Sequence, residues 1–148
     1  MRRLAVRRNA GQTFVELVIV LAVIGVIVTG VVGVVAISVR NARFSSDQAR
    51  SSRYAQEAIE WVRQQRDSGW ASFAARSGRT YCMQDLTWNL SNPCTSTQVI
   101  ANSNFIREAS LTGTDADTIT VEVTVSWTDS GGEHSSKLST ILTSWTEK

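Results

Sequence analysis

The chain has 148 residues, which suggests one domain with an appended segment rather than two domains. Four of its 15 basic residues lie in residues 1–11, where there is no acid, so the net charge of +2 belongs to the N-terminus. The remainder therefore has no basic excess of the kind that nucleic-acid-binding domains carry. The sequence shows no Ser/His/Asp, Cys/His or paired-carboxylate arrangement that its single histidine, His134, could complete, so it argues against an enzyme.

The first element is an apolar segment that follows the basic residues. Leu17 to Val39 contains no charged residue and consists almost entirely of Val, Ile, Leu, Ala and Gly. A helix needs about 20 residues to cross the hydrocarbon core of a bilayer, whereas the apolar core of a cleaved secretory signal has about 7–15 residues. The segment therefore predicts a transmembrane helix. The preceding arginines predict a cytoplasmic N-terminus, with residues 40–148 outside the membrane.

A helical pattern continues beyond the apolar segment. Residues 12–66 contain no proline, and apolar residues recur at the spacing of one helix face at Ala55, Ala58, Ile59 and Val62. Asp67-Ser68-Gly69 predicts the end of the helix, with Gly69 as its C-terminal cap. We therefore predict one long helix, with a transmembrane part in residues 12–39 and an amphipathic part in residues 40–69. The arginines of its exposed faces are interpreted as a solvated surface; they are Arg40, Arg43, Arg50 and Arg53.

The rest of the chain, residues 70–148, predicts a small globular head. Residues 70–103 are rich in Gly, Ser, Asn and Thr, and we interpret them as loops with one or two short strands around Tyr81 and Trp88. Residues 118–127 alternate strictly between apolar and polar types, which predicts a strand with one buried face. Turn residues at 128–133 and a β-branched stretch at 135–145 complete an antiparallel hairpin.

A third strand is expected from Phe105 to Leu111. Three strands with one apolar face need a cover, and the apolar face of the helix within residues 54–65 can provide it. The predicted fold class is therefore α+β, with a long N-terminal helix packed on a small antiparallel sheet.

Two cysteines, Cys82 and Cys94, lie in the external part of the chain. Two thiols and one histidine fall short of a zinc ligand set, so neither a metal nor another cofactor is expected. In an oxidising compartment the pair favours one disulfide, which would contribute about 3 kcal/mol by closing a short loop. Free buried thiols are the alternative.

Glu16 is the residue that most needs an explanation. It lies in Gly11-Gln12-Thr13-Phe14-Val15-Glu16, which leads directly into the apolar segment. A carboxylate within a transmembrane helix costs about 2.5–3.5 kcal/mol on insertion scales, and a simple anchor has no use for one. Cleavage after Gly11 would create an α-ammonium group on Gln12, four residues before Glu16. Pairing of these charges within or between helices would offset the cost.

This pattern resembles the leader of type IV pilins and pseudopilins. Those proteins have a basic leader ending in Gly, a cleavage point, Thr at the second mature position, Glu at the fifth, and then an apolar segment. Gly11, Thr13, Glu16 and Gly25 match this arrangement, and the resemblance covers residues 1–37. It implies that residues 1–11 are removed by a prepilin peptidase, that Gln12 is N-methylated, and that Glu16 pairs with the N-terminal amine of a neighbouring subunit. Thr13 and Phe14 would belong to the same assembly surface.

The resemblance also implies partners and a location. Other pilin subunits would bind through the N-terminal helix, assembly-platform proteins would act in the inner membrane, and the assembled subunit would lie in an extracellular pilus. Two departures favour a minor pilin over a major one: Gln12 stands where Phe or Met is usual, and no proline occurs near Gly33. The alternatives are a pseudopilin of a type II secretion or DNA-uptake system and, from another class, an adhesin-like binding module at a pilus tip.

Overall fold

The computed structural model describes residues 10–90 and 94–144, with side chains from Phe14 onwards. Most of the predicted leader, the side chains of Gln12 and Thr13, and the end of the last predicted strand at Trp145 lie outside the described residues. The chain forms two compact units, Met1–Phe44 and Ser45–Lys148.

Helix α1 runs from Ala10 to Ser68, as the absence of proline predicts. In the first unit every described side chain from Phe14 to Val39 is exposed, and nearly all are apolar. A soluble helix buries its apolar stripe against a core, whereas this segment has an apolar surface all round. It is long and apolar enough to cross a membrane by its length and composition. The predicted long apolar helix is confirmed.

In the second unit, α1 contributes one face to the core of the head. The four residues predicted for this face are all buried, namely Ala55, Ala58, Ile59 and Val62. All four are small or β-branched, so little side chain stands between the two backbones and the sheet can approach the helix closely. The predicted packing of the helix on the sheet is confirmed.

The helix ends at Ser68 as predicted, but the predicted role of Gly69 is wrong. Its backbone is extended, with φ 161°, so it is not a left-handed C-terminal cap. It instead precedes a second short helix, α2, from Trp70 to Ala74, where the sequence had predicted a loop. Phe73 of α2 is buried in the core, and this tertiary contact decides the local structure of a segment whose own signals are weak.

The sheet has four antiparallel strands in the order β1-β2-β3-β4. Their bounds are β1 Arg79–Cys82, β2 Ile106–Asp115, β3 Thr118–Asp129 and β4 Gly132–Thr143. The predicted hairpin is confirmed as β3 and β4, with Asp129 opposite Gly132. Gly132 has φ 122°, a conformation that only glycine adopts without strain, so the turn requires it.

The remaining strand predictions are partly correct. Tyr81 lies in β1, but Trp88 lies outside every described strand, and only Asn89 beside it forms an isolated bridge, with Cys82. The third predicted strand is β2, which extends beyond Leu111 to Asp115. Alternate residues of β3 are buried against α1 and β2, as period-two patterning requires; they are Ile119, Val121, Val123, Val125 and Trp127.

Candidate functional site

The apolar part of α1 carries one charged side chain between Phe14 and Val39, that of Glu16. Its carboxylate forms no ion pair or hydrogen bond with a described residue, and the side chains of Phe14, Val15 and Leu17 beside it are exposed. The hydroxyl of Thr29, by contrast, donates to the backbone oxygen of Gly25 at 2.8 Å. This leaves Glu16 as the polar group of the apolar segment that most needs a partner from outside the segment.

The other residues predicted for processing and assembly are placed only by their backbone. Gly11, Gln12 and Thr13 lie in the first turn of α1, immediately after Ala10, where the helix begins. The predicted cleavage point between Gly11 and Gln12 therefore falls within this turn. Phe14 follows it with 67% of its surface exposed.

The two cysteines of the head are joined. Cys82 is fully buried at the end of β1, its Cα lies 5.3 Å from that of Cys94, and the two form a disulfide. The backbone N–H of Cys94 also donates to Glu108 Oε1 at 2.7 Å, which ties the same point to β2. The predicted disulfide is confirmed, and no described cysteine is free.

Sequence reasoning missed Arg107, a buried cation in the centre of the head. Its side chain lies on β2 with 2% of its surface exposed. Its Nε donates to the backbone oxygen of Met83 at 3.0 Å, and its Nη1 donates to that of Tyr54 at 3.0 Å. One signal could have identified it: Arg107 alternates with Phe105 and Ala109, so period two places it on the buried face.

The described residues contain no group of three or more His, Cys, Asp or Glu side chains that could hold a metal ion. Asp115 and Asp117 lie at the turn between β2 and β3, where the carboxylate of Asp115 accepts the backbone N–H of Asp117 at 2.9 Å. This is ordinary turn chemistry.

Residues 6–32 match the family model of the prokaryotic N-terminal methylation motif. That span includes Gly11, Gln12 and Glu16, together with most of the exposed apolar helix. The chain therefore carries the N-terminal methylation motif of type IV pilin-like proteins. No curated protein and no solved structure matches it significantly.

A pilin-like protein is a structural subunit and not an enzyme. The methylation motif implies processing by a prepilin peptidase and interaction with the components that assemble pilin-like filaments. The exposed apolar helix fits an inner-membrane precursor that later enters a filament. The match ends at residue 32, so it assigns a role to the N-terminal helix and none to the head.

Proposed function

We propose that this pilin-like protein is a minor pilin of a type IV pilus, cleaved after Gly11, N-methylated at Gln12, and held in the filament by its N-terminal helix. The observation that carries the proposal is the unpaired carboxylate of Glu16. It is the one charge in an exposed apolar segment, and it lies within the matched methylation motif.

The energetic reason is that Glu16 needs a cation from another chain. Its carboxylate costs about 2.5–3.5 kcal/mol in a membrane-spanning helix. Cleavage after Gly11 supplies an α-ammonium group on Gln12, and a neighbouring subunit presents the same group. In a low-dielectric bundle of helices the attraction between these charges is much stronger than in water. Thr13 and Phe14 lie between the two charged groups along the chain and would form part of the same contact.

The charges of the chain support a defined topology. The arginines of residues 1–11 favour retention of the leader in the cytoplasm, which places the head outside the membrane. The Cys82–Cys94 disulfide is consistent with a head outside the membrane, because disulfides persist in oxidising compartments. Removal of the leader takes away this cytoplasmic tether, so that assembly-platform proteins can move the subunit from the inner membrane into a filament.

Two departures from the usual pilin pattern favour a minor subunit: Gln12 at the first mature position and the absence of proline near Gly33. Gly30 and Gly33 can loosen the helix where that proline would otherwise do so, since each glycine costs about 1 kcal/mol relative to alanine. A Cβ atom added at either glycine would have no other atom within 4 Å. The two glycines therefore leave a shallow surface on which another helix can pack closely.

The decisive experiment separates insertion from assembly. Glu16→Ala and the size-matched Glu16→Gln are expected to leave membrane levels unchanged or raised, because an insertion penalty is removed. Both variants should nevertheless disappear from sheared surface filaments. Glu133→Ala, at an exposed glutamate of the β3–β4 hairpin, is the matched control and should assemble normally.

Two results would count against the proposal. Normal filament levels of Glu16→Ala would remove the assembly role of the carboxylate. A wild-type chain that is absent from filaments, yet needed for type II secretion or DNA uptake, would indicate a pseudopilin instead.

A further inference from the structure

An open cleft of about 710 Å³ lies in the second unit, between α1 and the loop that precedes β2. Sites for small organic ligands commonly have volumes of about 300–1,000 Å³. The lining residues are Arg50, Arg53, Tyr54 and Glu57 from the helix, and Asn102, Ser103, Asn104 and Phe105 from the loop. The cleft belongs to the head alone, and the methylation motif assigns it no role.

The helix wall of the cleft is positively charged. Arg50 and Arg53 are exposed, and neither forms an ion pair with a described carboxylate. The one acidic residue of the lining, Glu57, is already neutralised, because its Oε2 accepts a hydrogen bond from Arg107 Nη1 at 2.7 Å. Two guanidinium groups therefore remain available. The sequence favoured a solvated helix face for them, but the fold places both beside a concave surface.

The loop wall is held in one shape and presents polar groups. The backbone N–H of Ile100 donates to the oxygen of Phe105 at 2.8 Å. The hydroxyl of Ser103 donates to the oxygen of Ile100 at 2.8 Å and accepts the N–H of Phe105 at 3.2 Å. These bonds fix the loop, so that ordering it adds no cost when a ligand binds.

Two asparagines project from this fixed loop. Asn104 donates to the backbone oxygen of Thr128 at 3.4 Å, which leaves its amide oxygen available. Asn102 has the left-handed φ of 57° that asparagine tolerates, and its side chain forms no hydrogen bond with a described residue. A carboxamide presents both donors and acceptors, which is the combination that a hydroxyl group requires.

The helix wall of the cleft also includes an aromatic ring. Tyr54 is half-buried and packs against the buried Phe105, with ring centroids 5.4 Å apart. Such a ring offers an apolar surface to the carbon face of a sugar, with a phenol hydroxyl at its rim.

We propose that this cleft binds a small anionic sugar, with its carboxylate or phosphate on Arg50 and Arg53 and its hydroxyls on Asn102 and Asn104. Arginine binds planar or tetrahedral oxyanions through paired N–H groups, which provides the charge recognition. The amides provide the recognition of hydroxyls. Uronic acids and sugar phosphates share this chemistry. This sugar binding would be a property of the head, independent of filament assembly.

The test uses the full chain in detergent micelles, with the side-chain amide signals of Asn102 and Asn104 followed by NMR at constant ionic strength. Glucuronate and glucose 6-phosphate are expected to give saturable shifts at millimolar concentration, while glucose gives none. Saturation by one anion and not the other supports the proposal and identifies the anionic group. Equal binding of glucose, or binding of inorganic phosphate as tight as that of glucose 6-phosphate, would overturn it.

Variants separate the two parts of the site. The Arg50→Gln/Arg53→Gln double variant should bind both anionic sugars about tenfold or more weakly, because each lost contact is a charge-assisted hydrogen bond. Asn102→Ala should lower the affinity for both sugars but leave the weak binding of inorganic phosphate unchanged. Arg79→Gln, at an exposed arginine of β1, is the control and should bind normally. An unchanged affinity in the double variant, with an amide spectrum that shows it to be folded, would refute the proposal.

Discussion

His134 Nε2 lies 3.0 Å from Asp129 Oδ1, and this contact links β4 to β3 at the hairpin turn. The same Oδ1 accepts the backbone N–H of Gly131 at 2.6 Å. The imidazole ring also packs on the buried Trp127, with ring centroids 5.5 Å apart. One carboxylate therefore organises the turn, and one ring ties that turn to the core.

This arrangement predicts a pH-dependent contribution to stability. The N–H of Gly131 and, secondly, the contact with His134 hold the pKa of the Asp129 carboxyl below its ordinary value. A lowered folded-state pKa stabilises the protein above the unfolded pKa of about 3.9, and this stabilisation is lost as the pH falls through the folded value. Asp129→Asn should therefore be less stable than wild type at pH 7, and the difference should shrink as the pH falls below the unfolded pKa.

The measurement is thermal unfolding of the full chain in detergent, followed by tryptophan fluorescence, since every tryptophan lies outside the apolar segment. Glu133→Gln, which removes an exposed carboxylate beside the same turn, is the matched control. A difference between Asp129→Asn and wild type that does not shrink as the pH falls below about 3.9 would contradict the role of the charge.

Removal of Arg107 should destabilise the head by about 2–4 kcal/mol, because Arg107→Met removes the side-chain donor to the backbone oxygens of Met83 and Tyr54. Glu57→Gln should cost only about 1 kcal/mol, because 53% of the Glu57 side chain is exposed and water can replace its carboxylate. Urea unfolding followed by tryptophan fluorescence measures both. Equal losses in the two variants would mean that the ion pair, and not the bonds to the carbonyls, holds the helix to the sheet.

The disulfide predicts a redox-dependent stability of the head. Cys82 and Cys94 are 12 residues apart, and in the chain-entropy model the loop that they close contributes about 3 kcal/mol. The Cys82→Ser/Cys94→Ser variant should lose about this free energy of unfolding. Protein taken from outside the membrane should react with an alkylating reagent only after reduction and denaturation, as mass spectrometry would show. Alkylation of both thiols without a reductant would place the head in a reducing compartment.

Processing after Gly11 predicts a mature chain that begins at Gln12 and carries one N-methyl group. Mass spectrometry of filament protein should detect this N-terminal peptide. The same chain produced in cells without a prepilin peptidase should keep Met1 to Gly11. An intact leader on filament protein, or a mature chain that begins at a residue other than Gln12, would be incompatible with the proposed function.

Much of the N-terminal part can be predicted from sequence because its signals are local. Four features can be identified without reference to distant residues: the basic leader, the small residue Gly11, the acid Glu16 and the uninterrupted apolar segment. The buried faces of α1 and β3 are equally predictable, because helical and strand periodicities identify which side chains turn inwards.

Other features could be decided only by the tertiary structure. Glu57 and Arg107 lie 50 residues apart and meet because β2 packs beneath α1 at a particular register, which no local pattern specifies. The segment from Trp70 to Ala74 becomes a helix because Phe73 finds a place in the core, and the same residues had looked like a loop. The cleft likewise depends on bringing Arg50 and Arg53 beside Asn102, from segments far apart in the chain.

Sequence alone determined which faces are buried and where one charge enters an apolar helix, because these follow from local periodicity. Only the folded chain decided which polar groups meet, because that depends on the register between distant segments.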